Sequence, residues 1–222
     1  MTRTTNARIA GFTFLVYMAA GITSLVFFGR AASGEGIAAK LASIAQHTTD
    51  MRIIVLLGLL ECFSALVLAV TLYAITREVD ADLAMMALTC RVAEGVILGV
   101  YQPETQKLLW LATATGADAP DPGAAHALGA YLLTGDIAVT STFFAVGSTL
   151  FFYLFLRGRM IPVALAWLGV LASVLLVVGL PLQIAGVLAG TITQLIWIPM
   201  AIFQIILALW LIIKGVAAPG TR

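Results

Sequence analysis

The chain has 222 residues, of which 61% are hydrophobic and only 10% are charged, and its formal net charge is +1. A soluble domain carries about 25% charged residues, so this composition excludes an ordinary water-exposed surface. The small net charge and the lack of a basic patch argue against a nucleic-acid-binding protein.

The apolar residues fall into six segments that are long enough to cross a bilayer, because a transmembrane helix needs about 20 mainly apolar residues. We therefore predict an all-α fold, a single polytopic membrane domain over residues 1–222 with six transmembrane helices. An apolar run follows Arg8 as in a signal peptide, but it exceeds the usual length, and we expect an uncleaved first span. The predicted spans are, in chain order, 9–29, 51–75, 83–101, 138–156, 161–188 and 192–213.

A short amphipathic helix is predicted between the first two spans, over residues 36–46. Ile37, Leu41 and Ile44 recur there at helical spacing, while Lys40 is polar. Such a pattern is typical of a helix that lies on the membrane interface, and here we expect the outer interface.

The segment 102–137 is predicted to be an outer loop. An Ala-, Asp- and Pro-rich stretch interrupts it at 116–123. Before this stretch, 105–114 is apolar enough either to extend the third helix or to lie on the membrane, and after it 124–133 is expected to form a second outer helix. A plain connector and a cover over an outward-facing pocket are both compatible with this segment.

The distribution of Lys and Arg in the flanks of the spans predicts the orientation. With the N-terminus inside, seven basic residues fall on the inner side and four on the outer side, so we expect both termini to be cytoplasmic in the inner (cytoplasmic) membrane. The inner set is Arg3, Arg8, Arg77, Arg157, Arg159, Lys214 and Arg222, and the outer set is Arg30, Lys40, Arg52 and Lys107.

Glu61, Arg91 and Glu94 lie near the middle of the second and third predicted spans. A charged side chain at bilayer depth costs roughly 2.5–3.5 kcal/mol on insertion scales, so it marks a functional site by default. Counted from the connection between these spans, Glu61 and Glu94 differ in depth by about 4–5 Å, and Arg91 and Glu61 by about 9 Å. Arg91 and Glu94 are also i,i+3 neighbours that can pair on their own helix. The sequence therefore predicts a buried Glu/Arg cluster.

Two interpretations of this cluster remain open, a functional site and an ion pair that holds two helices in register. Gln204, near mid-depth in the sixth span, joins Glu61, Arg91 and Glu94 as a candidate binding residue. No histidine lies within a predicted span, which excludes haem ligation by a histidine pair. The sequence also lacks HExxH, GxSxG and Walker A motifs, so no cofactor, metal ligand or catalytic residue is predicted.

Seven short motifs follow one another in an order and spacing that cover nearly the whole chain. They are Ala7-Arg8-Ile9-Ala10-Gly11, Ala20-Gly21-Ile22, Cys90-Arg91-Val92, Ile97-Leu98-Gly99-Val100, Phe143-Phe144, Leu168-Gly169-Val170-Leu171 and Ala208-Leu209-Trp210-Leu211. Together they resemble a bacterial family of integral membrane proteins that is catalogued only as a domain of unknown function. The resemblance implies a six-helix membrane domain and supplies no activity.

For function, we expect a non-catalytic protein that binds or transports a small or lipidic molecule, or supports a membrane complex, around the Glu61, Arg91 and Glu94 cluster. The alternative is an intramembrane enzyme that acts on a lipid-like substrate, with Glu61 or Glu94 as general acid/base and Arg91 as its electrostatic partner. The expected partners are the lipid bilayer and either a small or lipidic ligand or another membrane subunit, and nucleic acid is not expected.

Overall fold

The computed structural model describes residues 2–116, 119–135 and 138–220, and this part of the chain contains helices and no β-strand. The predicted all-α fold is therefore confirmed. The helices are α1 (Arg3–Ala31), α2 (Gly36–Gln46), α3 (Thr48–Thr76), α4 (Ala81–Thr113), α5 (Pro122–Leu133), α6 (Ala138–Arg157), α7 (Val163–Ile184), α8 (Ile192–Leu195) and α9 (Ile198–Ile213).

Six stretches of the described chain are long and apolar enough to cross a membrane, which confirms the predicted number of spans. They are α1, α3, α4, the stretch that ends with α6, α7, and α8 together with α9. Large apolar side chains such as Leu25, Phe63, Leu171 and Ile213 are more than half exposed on these helices. A water-soluble protein does not present so much contiguous apolar surface, so the chain is a membrane-embedded protein.

α4 is longer than the predicted third span. The predicted span ends at residue 101, and the sequence leaves open whether 105–114, within the predicted loop over 102–137, extends it. The helix continues to Thr113. Leu108 and Leu111 explain the difference, because both are buried and a continued helix places them on the same face. The proline within this extension, Pro103, does not end the helix.

The helix that is predicted after the Ala-, Asp- and Pro-rich stretch is present as α5. Asp121 caps it, since its carboxylate accepts the backbone N–H groups of Gly123 and Ala124 at 2.9 and 3.0 Å. Pro122 stands at the first helical position, where a missing N–H has no cost. Residues 117–118 and 136–137 of the predicted loop lie outside the described residues.

The last two spans also differ from their predicted bounds. α7 ends at Ile184 instead of residue 188, because Gly186 adopts a positive φ of 73°. The N–H groups of Gly186 and Val187 donate to the carbonyls of Gln183 and Leu182, which is a Schellman motif that closes the helix. The sixth span, predicted over 192–213, is divided into α8 and α9, and a proline stands in the first turn of α9.

Contacts divide the chain into two compact units. The first comprises Met1–Tyr17, Phe63–Val96 and Ile137–Arg222, and the second comprises Met18–Cys62 and Ile97–Asp136. α1, α3 and α4 each contribute to both units. The single domain predicted from the sequence stays a prediction.

The start of α1 and the segment that follows α9 lie at the same end of the first unit. Arg3, at the start of α1, pairs with Glu78 in the α3–α4 connection. In that same connection Asp80 pairs with Arg157, at the end of α6, over 2.7 Å. The N–H of Ala217, beyond α9, donates to a carbonyl of the α6–α7 connection at 2.9 Å. This arrangement agrees with six spans, because an even number of crossings returns the chain to the side on which it starts.

In the second unit, α2 packs against α5. Ile37 and Leu41 approach Gly129 so closely that a Cβ atom there would lie 2.8 and 3.0 Å from their side chains. Ile44 is fully buried in the core of this unit. The predicted amphipathic helix over 36–46 is therefore present, and its apolar face packs on protein.

Candidate functional site

Arg91 and Glu94 form an ion pair inside the first unit. Nη1 of Arg91 lies 2.6 Å from Oε2 of Glu94, and each side chain is only 1% exposed. The two residues are one turn apart on α4, so the pairing expected from their i,i+3 spacing is present.

Two aromatic residues from other helices complete the surroundings of this pair. The hydroxyl of Tyr17, on α1, donates to Oε1 of Glu94 at 2.8 Å. The Cζ atom of Arg91 lies 5.6 Å from the centroid of the Tyr17 ring and 4.9 Å from that of Phe144, on α6. A desolvated cation–π contact contributes about 2 kcal/mol, so both rings stabilise the buried guanidinium. We call Tyr17, Arg91, Glu94 and Phe144 the Arg91 cluster.

Gly147 makes room for the Arg91 side chain between α4 and α6. A Cβ atom at this position would lie 3.0 Å from Cγ of Arg91 and 3.2 Å from the carbonyl oxygen of Ala87. Phe144, one turn earlier on α6, also packs against Trp197, with their ring centroids 5.9 Å apart. The cluster is thus enclosed by α1, α4 and α6.

The guanidinium of Arg91 keeps unused hydrogen-bonding capacity. It has five N–H donors, yet within the described residues Nε and Nη2 have no acceptor. The contact of Nη1 with Glu94 is close enough for an ion pair but lacks the alignment of a hydrogen bond. Leaving a buried donor unsatisfied costs about 1–3 kcal/mol, and more for a charged group. Arg91 therefore presents two donors, at Nε and Nη2, that the described part of the chain does not satisfy.

Glu61 belongs to the second unit and is half-buried there. The hydroxyl of Ser24 donates to its Oε1 at 3.3 Å, and Gly21 faces the same carboxylate. α1 thus contributes two of the residues that lie beside Glu61. The predicted cluster of Glu61 with Arg91 and Glu94 stays a prediction.

Gln204 lies on α9 in the first unit and is buried. Its Nε2 has no acceptor among the residues that the structure describes, and no hydrogen bond joins it to Arg91 or Glu94. The structure therefore buries this predicted residue without bonding it to the ion pair.

Tyr17, Phe144 and Gly147 were not predicted as site residues. A depth count provides a signal for Tyr17: it lies about 21 Å along α1 from Arg3, and Glu94 about 20 Å along α4 from Ala81. A tyrosine hydroxyl at this depth needs a hydrogen-bonding partner from the protein, whereas the hydroxyl of an interfacial tyrosine is satisfied by water. In the described ranges, no group of three or more His, Cys, Asp or Glu residues is placed to hold a metal ion.

Comparisons with curated proteins and with solved structures give no match. A family model matches residues 9–215, which include all six apolar stretches apart from the first residues of α1. The chain therefore belongs to the family described as Domain of unknown function (DUF4386).

Proposed function

We propose that this chain is a non-catalytic, multi-pass membrane protein that binds a small lipidic molecule at the Arg91 cluster. The observation that carries the proposal is the buried guanidinium of Arg91, whose Nε and Nη2 have no acceptor in the described part of the chain. A buried charge persists where binding requires it, since removing it from water is costly.

The charge balance of the cluster favours a neutral ligand. Glu94 already compensates Arg91, so a second buried anion would add an uncompensated charge. The Nε and Nη2 groups form one edge of the guanidinium, which suits two acceptor oxygens on one ligand. The ligand is therefore a neutral lipidic molecule that carries carbonyl or hydroxyl oxygens.

The contacts of Glu94 support binding over intramembrane catalysis. Its Oε1 accepts the Tyr17 hydroxyl, and its Oε2 faces Arg91. A general acid or base must reach the proton that it transfers, and both oxygens of this carboxylate are engaged by the protein. The alternative enzyme, with Glu61 or Glu94 as general acid/base, lacks an observation that favours it.

The orientation that we propose has both termini in the cytoplasm, in the inner membrane. Lys and Arg are enriched on the side of the termini, seven against four in the sequence. Arg3 and Arg157 belong to this side, and their ion pairs lie at the same end of the first unit. Another membrane subunit as a binding partner also stays a proposal.

The experiment is to compare the small molecules that co-purify with different variants. The wild-type protein, Arg91→Gln and Tyr17→Phe are purified in mild detergent, extracted with organic solvent and compared by mass spectrometry. A neutral, oxygen-bearing lipidic species should accompany the wild type and fall about tenfold in Arg91→Gln, which removes charged donors. Arg157→Gln, outside the cluster, serves as the matched control.

An equal content of every extracted species in the wild type and in all three variants would contradict ligand binding. If Arg91→Gln then lowers only the melting temperature, the cluster is an ion pair that holds the helices together.

A further inference from the structure

The second unit contains a pocket of about 310 Å³ between the end of α4 and α5. This volume lies at the lower end of the range for small-ligand pockets, roughly 300–1,000 Å³. Residues that recur at i, i+3 and i+4 place one face of α5 toward it. The lining comprises Glu104, Lys107, Trp110 and Leu111 of α4, and Leu128, Tyr131 and Leu132 of α5.

The length of α4 supports a position of the pocket at the depth of the lipid headgroups. About 23 residues, or about 35 Å, separate Ala81 from Glu104 along α4, and the hydrocarbon core of a bilayer is about 30 Å thick. Trp110 is 52% exposed and Tyr131 is 73% exposed. Exposed Trp and Tyr side chains are enriched at this interface, where their rings contact both headgroups and acyl chains.

The charged residues of the pocket have opposite signs. Nζ of Lys107 lies 2.7 Å from Oε1 of Glu104, and both side chains are partly exposed. An anionic headgroup that approaches Lys107 is repelled by Glu104. A cationic group that approaches Glu104 is repelled by Lys107. A headgroup with one positive and one negative charge complements both residues.

We propose that this pocket binds the headgroup of a zwitterionic phospholipid, with phosphatidylethanolamine as the simplest example. Lys107 donates to the phosphate, and Glu104 accepts from the ammonium. The faces of Trp110 and Tyr131 add cation–π attraction for the ammonium. Leu128 contacts the first part of the acyl chains. This site is separate from the Arg91 cluster and does not depend on the function proposed for it.

The test measures binding of two short-chain lipids to the full-length protein by native mass spectrometry. Dihexanoyl phosphatidylethanolamine should bind the wild type about fivefold more tightly than dihexanoyl phosphatidylglycerol, the difference that one exposed charge pair provides. Lys107→Gln and Tyr131→Ala should each weaken phosphatidylethanolamine binding about fivefold. Glu104→Gln should abolish the preference, because it leaves Lys107 without a neighbouring carboxylate.

Lys214→Gln and Trp167→Ala are matched controls, since both side chains are exposed and belong to the first unit. Both controls, and Arg91→Gln as well, should bind phosphatidylethanolamine as the wild type does. Equal affinity of the wild type for the two lipids would overturn the proposal, and so would Lys107→Gln and Tyr131→Ala variants that bind as the controls do. Because Arg91→Gln tests the other site, failure of one proposal is distinguishable from failure of the other.

Discussion

The hydroxyl of Tyr17 satisfies a carboxylate that is almost completely removed from solvent. In Tyr17→Phe the ring can keep its contact with Arg91, but Oε1 of Glu94 loses its donor. We expect the free energy of unfolding to fall by about 1–3 kcal/mol, the cost of an unsatisfied buried acceptor. Thermal unfolding of the purified protein in detergent measures this change.

Tyr153→Phe is the control for this substitution, because Tyr153 is an exposed tyrosine on α6. It should leave the melting temperature nearly unchanged. Equal losses in the two variants would show that the Tyr17 hydroxyl has no specific contribution.

Part of the site is predictable at the level of single residues. Arg91 and Glu94 stand out because charges are rare in apolar helices, and their pairing follows from helical spacing alone. The depth of Tyr17 along α1 matches that of Glu94, but the contacts of Tyr17 and Phe144 with the ion pair depend on the packing of α1 and α6 on α4, which a single sequence does not encode as a pattern. The placement of Glu61 beside Ser24 likewise depends on how α1 and α3 pack.

At the level of whole helices, α1 packs closely against α9 through Gly11. A Cβ atom at this position would lie 2.6 Å from the carbonyl oxygen of Ala208. Since a backbone atom cannot move aside cheaply, Gly11→Ala should destabilise the protein by about 1–3 kcal/mol, as overpacked core substitutions do. Thermal unfolding provides the measurement.

Gly29→Ala lies on the same helix, with no atom within 4 Å of the added Cβ. It should leave stability unchanged or raise it by up to about 1 kcal/mol, because Ala has the higher helix propensity. A Gly11→Ala variant as stable as Gly29→Ala would contradict the close α1–α9 contact.

Asp80 ties the start of α4 to the end of α6. The backbone N–H of Leu83 and then the Arg157 side chain hold the pKa of Asp80 below its ordinary value of 3.8. Because the pKa of Asp80 is lower in the folded state, its carboxylate contributes fully to the free energy of unfolding at pH values above the ordinary pKa. This contribution is lost as the pH falls through the lowered pKa. Asp80→Asn removes the charge and should make this contribution disappear.

The measurement is the difference in melting temperature between the wild type and Asp80→Asn across pH. It should be constant near neutrality and shrink below about pH 4, where the unfolded chain already binds the proton. Glu35→Gln, whose side chain makes no capping bond, is the control. A difference that stays constant down to the lowest pH would contradict the assigned contacts.

The helices themselves are predictable to different extents. Apolar length gives all six spans, because bilayer thickness fixes a minimum number of apolar residues. The sequence leaves open whether residues 105–114 extend the third helix, and burial of Leu108 and Leu111 within the second unit decides for the extension to Thr113. The early end of α7 depends on the left-handed conformation of Gly186, which composition alone does not reveal.

For the whole molecule, the proposed orientation predicts which connections face the cytoplasm. In a background with Cys62→Ser and Cys90→Ser, cysteines are introduced as Thr2→Cys or Ser33→Cys. A membrane-impermeant maleimide should label Ser33→Cys in intact cells and Thr2→Cys only after lysis, because positively charged flanks stay inside. The opposite labelling pattern would reverse the orientation.

Returning an extracted ligand to stripped protein tests binding at the Arg91 cluster most directly. The wild type and Arg91→Gln are delipidated in detergent, and the neutral species recovered from the wild type is added at increasing concentration. The wild-type melting temperature should rise steadily, since a ligand at 100 times its Kd stabilises the folded state by about 2.7 kcal/mol. Arg91→Gln should show no rise, whereas an equal rise in both proteins, or none in the wild type, would contradict ligand binding by Arg91.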